Sequence, residues 1–397
     1  MAAEEQTVRQ PAGVYPSELE STWVQLASRF IRGGPNGDIA ELQPDIARIS
    51  DVFTTGRNAR FGNYAGDSRT LAAYGLFFFP QTYARMAFAL AECITPRRWL
   101  PAAGRPLRIL DIGAGTGAAT FAALFRLEHA LGPFAAHVDA VDASSEGLCA
   151  LTDVFNATAR ARWPHVGLTC RTADLRSPAA AGDAGYDLIL ASFVLNELME
   201  GEPETEVAQW MDAAVSLLAP GGLLVITEPV SNETSTRLER LRDAVAAAGQ
   251  LDIIAPCLHR APCPLLAAGE VWCHEVRTWT VPDTVAYLNR RLHRSVETVK
   301  YSLLALARRP PEARYEPDAR SARLVAPMHV RKGSITTWGC AADGAVHPYE
   351  VQTRALTRPE IRAAERVERG SRVRWGDLRC LGDGKTLRAE ALPTLDG

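Results

Sequence analysis

The sequence has no apolar run approaching the roughly 18 residues that a membrane-spanning helix needs. Its most apolar stretch, LAAYGLFFFP, is soon followed by Arg85. The first residues, MAAEEQTVRQP, lack an apolar core segment, so no secretory leader is expected. Internal repeats and low-complexity tracts are missing. So is any pair of cysteines two to four residues apart, the spacing of ordinary zinc knuckles. Lysine is scarce beside arginine, a usage that suggests a GC-rich bacterial gene. These absences exclude membrane, fibrous and disordered classes. They leave a globular chain of 397 residues, cytoplasmic by default and long enough for more than one structural unit. In a reducing compartment its eight cysteines are expected to be thiols or metal ligands, not disulfides.

The formal net charge is only −3, but it is unevenly spread. Residues 281–380 hold 19 Lys+Arg against 11 Asp+Glu, a surplus of +8 that leaves −11 for the remainder. An acidic body with a basic C-terminal third suits an anionic partner, unless the arginines only solvate helix faces.

Residues 1–105 read as a helical region, since apolar positions in ELESTWVQLASRFI and YARMAFALAECI recur at helical spacing. From Leu107 the texture changes. LRILDIG, HVDAVDA, YDLILAS and GLLVITEP are short β-rich runs separated by stretches of helical length. That alternation predicts an α/β fold over 106–250, a mostly parallel sheet with helices on both faces. Residues 251–397 are rich in cysteine at their start. They are expected to complete the sheet with strands at 300–307 and 334–341, joined by the Pro-rich surface loop RRPPEARYEPDARSAR. Thr357 and Glu360 form a capping box that opens a late helix, EIRAAERVER.

The first β-run ends in DIGAGTG, placing Gly113, Gly115 and Gly117 between a strand and a helix. Glycine is needed where the backbone turns sharply against a ligand. A nicotinamide site calls for an acidic residue about 20 positions on, and here the second strand ends later, at Asp142. The acidic Asp111 ahead of the glycines resembles motif I of class I S-adenosylmethionine methyltransferases. That resemblance implies a Rossmann-like fold with Asp111 near the methionine amino group and the glycines under methionine and ribose. It also implies Asp142 at the ribose hydroxyls, and Ala173 and Asp174 at the adenine. YDLILASFVLNEL resembles motif IV, whose strand end faces the methyl group. Methyl transfer is an in-line displacement that chiefly requires alignment and, where needed, proton removal. Ser192, Asn196 and Glu197 are the candidate catalytic residues. Glu197 and Glu228 are equally readable as charge compensation at a helix N-terminus.

Cys257, Cys263 and Cys273 fall within IIAPCLHRAPCPLLAAGEVWCHE. Their spacing is wide for zinc, unless His259 or His274 replaces a thiolate. A 4Fe–4S cluster tolerates wider spacing but needs a fourth thiolate. The pattern APC-x5-CPL…WCH, then KYS, RKG…C-x3-DG and RWGD, is similar to that of the methyltransferase-like proteins of the mitochondrial small ribosomal subunit and their bacterial relatives. The resemblance runs from about Tyr83 to Asp377. It implies a 4Fe–4S cluster on Cys257, Cys263, Cys273 and Cys340, and a link to small-subunit assembly. The chain departs from the family pattern in places: Leu258-His259-Arg260 follows the first cysteine, and Glu275 stands where an aromatic residue follows WCH. Glycines usual after the strand-5 glutamate are missing, and SFVLNELMEGEPETEV and EPVSNETSTRLERL look closer to small-molecule methyltransferases. Cys93, Cys149 and Cys170 are read as buried small hydrophobes, and Cys380 as a surface thiol.

The expected protein is an S-adenosylmethionine-dependent methyltransferase with a structural cluster. Its acceptor is small-subunit ribosomal RNA or a small metabolite, and neither membrane nor DNA is an expected partner. The alternatives are a non-catalytic assembly factor using the fold as an RNA-binding scaffold, and a specialised-metabolite methyltransferase.

Overall fold

The computed structural model describes residues 12–55, 66–177, 183–309 and 316–395. Among the described residues the helices α1 (Ser17–Ala27), α2 (Gln43–Thr55) and α3 (Ser68–Cys93) come first. The carboxylate of Asp67 starts α3 by accepting the Thr70 N–H at 2.8 Å. Its length is almost entirely buried, which explains an apolar run too uniform for a surface helix. No helix of the described residues is long and apolar enough to cross a membrane.

The first sheet then builds in chain order. It consists of β1 (Leu107–Ile112), α4 (Ala118–Leu131), β2 (Ala136–Asp142), α5 (Ser145–Arg162), β3 (Val166–Thr172) and β4 (Tyr186–Ser192). The short α6 (Leu195–Leu198), α7 (Glu204–Ser216), β5 (Leu218–Glu228), α8 (Asn232–Ala248) and β6 (Asp252–Ala255) follow. Next come α9 (Pro264–Ala268), β7 (Glu275–Thr278), α10 (Asp283–Arg291) and β8 (Thr298–Ala307). The strand order is β3-β2-β1-β4-β5-β8-β6, with β8 antiparallel to both neighbours. This is the class I methyltransferase-like arrangement. Neighbouring positions point to opposite faces, and both faces are covered. Ile109, Leu188 and Val225 enter a core with α1, α3, α4 and α5. Leu110, Ile189 and Ile226 enter another with α7 and α8. That is why these strands read as unbroken apolar runs.

The chain runs outward from β1 to β3 and returns to β4, so β1 and β4 part at their C-terminal ends. Such a switch point is where open α/β sheets bind ligands. The glycine loop and the end of β4 both lie there.

A second sheet was not anticipated. It contains β9 (Ser321–Leu324), β10 (His329–Arg331), β11 (Ser334–Ala341) and β12 (Val346–Gln352). After α11 (Arg358–Ala364) it adds β13 (Arg372–Arg374), β14 (Leu378–Cys380), β15 (Leu387–Ala389) and β16 (Thr394–Leu395). Its order is β14-β15-β12-β11-β9-β13-β16, with β10 also on β11. The strand at 334–341 therefore does not complete the first sheet, as 300–307 does. Ile335, Thr337, Gly339 and Ala341 are buried and alternate with more open positions, the pattern of a sheet covered on one face only. Beneath it lie Tyr349 and Trp375, stacked at 4.5 Å, and Ala364 of α11. The Thr357–Glu360 capping box is present, but α11 stops at Ala364, short of the expected EIRAAERVER. Part of the loop expected at 308–323 lies outside the described residues.

Candidate functional site

The glycine loop is shaped by its own backbone. Gly113, Gly115 and Gly117 have φ of +72°, +50° and +88°, left-handed values that other residues adopt at a cost. A Cβ on Gly113 would sit 2.3 Å from Val194 Cγ2, and one on Gly117 2.2 Å from Leu151 Cδ1. The loop is thus pressed between the β4 turn and α5. Asp142 fastens it, accepting Gly115 N–H at 2.8 Å and Ser144 N–H at 2.7 Å. Asp111 is fully buried. Its Oδ2 accepts the Thr120 hydroxyl at 2.6 Å, while Oδ1 has no hydrogen-bond partner among the described residues. Burial pushes the Asp111 carboxyl up to about 7, and raises Asp142 as well. Ala173 is half-buried with its N–H on the Asp142 carbonyl, whereas Asp174 is exposed and accepts from Arg176 N–H.

At the end of β4 the chain turns through Phe193, a non-glycine residue at φ +61°. Such a conformation persists only where neighbours enforce it. Glu228 does so, accepting the N–H groups of Leu195 and Asn196 at 2.8 and 3.0 Å from a buried carboxyl that desolvation pushes up to about 8. With its amide nitrogen toward Glu228, Asn196 donates to Oε2 at 3.0 Å and to the Phe193 carbonyl at 2.8 Å. Ser192 Oγ accepts the Thr227 hydroxyl at 3.1 Å. Ser192 and Asn196 thus help to hold the turn, and Glu197 is half-buried on α6. Glu228 caps this turn, and Glu197 stands in the first turn of α6.

Sequence reasoning missed Arg85 of α3. Its guanidinium lies 5.3 Å from the Phe193 ring centre, and Nε donates to the Lys300 carbonyl at 3.1 Å. Burial pulls its pKa down to about 10, as expected of a cation withdrawn from water. The signal was a lone arginine inside the apolar run YARMAFAL.

The four cysteines of the expected set line one cavity. Cys257 follows β6, Cys263 precedes α9, Cys273 precedes β7, and Cys340 lies on β11 of the second sheet. Three residues of α8, spaced to share one face, organise them. The Glu239 carboxylate accepts the Cys273 N–H. Asp243 accepts the Cys263 N–H with both oxygens, at 2.9 and 3.0 Å. Arg242 sends Nε to Cys257 Sγ at 3.2 Å. His259 Nε2 lies 3.3 Å from Cys340 Sγ. Burial raises all four thiols, Cys263 to about 11. Nucleophilic cysteines are tuned the other way. No group of three Cys, His, Asp or Glu side chains among the described residues is arranged to hold a metal ion, so the expected metal site rests on donor chemistry. Of the cysteines outside the set, Cys93 is buried and Cys380 exposed, as expected. Cys149 is exposed and Cys170 partly so, because both lie off the buried stripes of α5 and β3.

Beside the cavity, Arg323 of β9 reaches across to the first half of the molecule. Buried itself, it pairs with Glu275 of β7 and Glu92 of α3 and donates to the Pro256 and Gly370 carbonyls at 2.6 and 2.7 Å. Glu275, unusual after WCH, also pairs with Arg277 at 2.6 Å.

Among solved structures, the chain is similar to a protein from Listeria monocytogenes assigned to the class I S-adenosylmethionine-dependent methyltransferases. They are 11% identical over 76% of this chain and 91% of that one, with a TM-score of 0.40. For the plantazolicin methyltransferase BpumL in complex with SAH the values are 13%, 68%, 97% and 0.33. The human ribosome assembly protein METTL17, mitochondrial, is 26% identical over 284 residues, 69% of this chain and 55% of that protein. The chain thus spans about half the length of that relative. The model of the family described as mitochondrial small ribosomal subunit Rsm22 matches residues 68–379, which include both sheets' main strands and all four cavity cysteines. The chain belongs to the Rsm22 family.

Proposed function

We propose that this chain is an assembly protein of the small ribosomal subunit. It binds small-subunit RNA, keeps an S-adenosylmethionine pocket at the β1–β4 switch point, and carries a structural 4Fe–4S cluster on Cys257, Cys263, Cys273 and Cys340. The observation that carries this reading is the meeting of those four thiols, from both sheets, on one cavity. The surroundings fit such a group. A cluster held by four thiolates is an anion, and the buried guanidinium groups of Arg242 and Arg323 line the same cavity. When bound, it supplies a cross-link between segments and leaves no iron site open to substrate. At the switch point, the unpartnered Asp111 Oδ1 suits the amino group of a bound methionine moiety.

The second reading is methyl transfer to RNA. The half-buried Glu197, on the short helix that follows β4 at the switch point, favours it. Glu197 is the side chain for proton removal in this reading. Labelled S-adenosylmethionine and small-subunit RNA, presented to protein purified without oxygen, separate the two. Salt-sensitive RNA binding without methyl incorporation is the expected result. Incorporation that disappears with Glu197→Gln puts the enzyme reading first. Absence of RNA binding even at low salt overturns both.

A further inference from the structure

The second sheet has one buried face and one open face. Ile335, Tyr349, Val351 and Ala389 point into the core beneath it, so the residues that alternate with them point out. Strand register shows which of these outward residues are neighbours. One row runs Arg379, Arg388, Glu350, Thr336 and His329 across β14, β15, β12, β11 and β10. The row on one side of it holds Pro348 and Trp338, and the row on the other holds Gln352, Ser334 and Arg331. One step past Trp338 stand Val346 and the cavity-lining Cys340, where the open face ends against the cysteine loop.

Two properties of this face are unusual. Trp338 is 52% exposed, although a tryptophan on a soluble surface normally buries its ring. The charge is also one-sided: the row's one carboxylate, Glu350, is taken by Arg388 at 2.6 Å. Arg331 and the adjoining Lys332 are exposed, as is Arg379, and none makes an ion pair among the described residues. The C-terminal basic surplus read from the sequence therefore has a place here.

We infer that this face is a docking platform for single-stranded RNA, with Trp338 stacking on a base and Arg331, Lys332 and Arg379 meeting phosphates. An exposed aromatic ring on the same open sheet face as unpaired cations suits unpaired bases, which have a free π-face; duplex RNA is met through its backbone and 2′-hydroxyls. A protein partner would have to leave these cations without carboxylates or supply an acidic surface. The inference rests on the RNA-binding reading above and narrows it to one face.

The test uses the full chain, purified without oxygen, and a labelled single-stranded RNA oligonucleotide of mixed sequence titrated at several salt concentrations. Trp338→Ala should weaken binding roughly tenfold, the loss of one stacked base, with an unchanged salt slope. Trp338→Phe keeps a ring and should stay within about threefold of the parent. The double variant Arg331→Ala/Arg379→Ala should lower the slope of log affinity against log salt by about 1.4, two phosphate contacts' worth on a single strand. If the parent binds RNA and all three variants bind as it does, the platform is overturned while RNA binding stands, and the face is left to a protein partner. Equal affinity for a duplex of the same sequence would overturn the single-strand assignment. Failure of the parent itself to bind would instead remove the RNA reading.

Discussion

Asp111 is a carboxyl group whose surroundings work against its own charge. The fold gives it the Thr120 hydroxyl as a donor and buries it fully, and burial lifts it from an ordinary 3.8 to about 7. The sign of the consequence follows from linkage. Between about pH 4 and 7 the unfolded chain ionises this group while the folded chain keeps it protonated, so stability falls as pH rises and levels off above about 7. Asp111→Asn keeps an oxygen for the Thr120 hydroxyl and has no proton to lose. Its stability advantage over the parent should therefore grow from pH 4 to 7 and reach a few kcal/mol at pH 8, read from urea midpoints. An advantage independent of pH would show that Asp111 is ionised in the folded protein. The same variant should bind S-adenosylmethionine poorly, since the cofactor's ammonium group needs the carboxylate. Asp111, Asp142 and the glycines were legible in the sequence because strand, loop and helix are contiguous there. Arg85, Arg242 and Arg323 were not, because each acts on residues supplied by another element.

Elements meet where small residues allow them to. Gly75 lies inside α3, where alanine would favour the helix by roughly 1 kcal/mol. A Cβ there would fall 1.9 Å from Cε3 of the buried Trp23 on α1. Overpacking of this kind costs about 1–3 kcal/mol, so Gly75→Ala should destabilise the protein despite its better helix propensity. Trp23→Phe should absorb part of that cost, leaving the double variant more stable than the sum of the single changes; strict additivity would mean that the two positions do not touch. Helical periodicity announced α1 and α3, and β-rich runs announced the first sheet. The second sheet was harder to see. Most of its strands are short, and the half-polar alternation of SITTWGCA reads locally as one more strand of the first sheet. The positions of Glu239, Arg242 and Asp243 on α8 carry a one-face pattern that was open to reading, but nothing local says that cysteines lie opposite.

At the scale of the whole molecule, two sheets with separate cores are joined at one seam. On one side stand α3, α8, β7 and the cysteine loop, and on the other β9 and β11. Arg323 crosses the seam by ion pairs to Glu92 and Glu275, and Cys340 crosses it by facing Cys257, Cys263 and Cys273 around the cavity. A buried cation between two carboxylates fixes geometry more surely than it adds stability. In the proposed reading the cluster does the same with covalent bonds. The resemblance carried by the cysteine pattern implied this ligand set across a gap that sequence alone could not close; the fold closes it by laying β11 beside the loop. The measurement to make is iron and acid-labile sulfide per chain, on protein purified without oxygen, for the parent, Cys263→Ser and Cys340→Ser. The parent should hold about four of each, the content of a cube, and both variants should lose them to the same degree. Full iron in Cys340→Ser, or a single zinc in the parent, would contradict the seam cluster and leave the seam to its ion pairs, hydrogen bonds and apolar contacts.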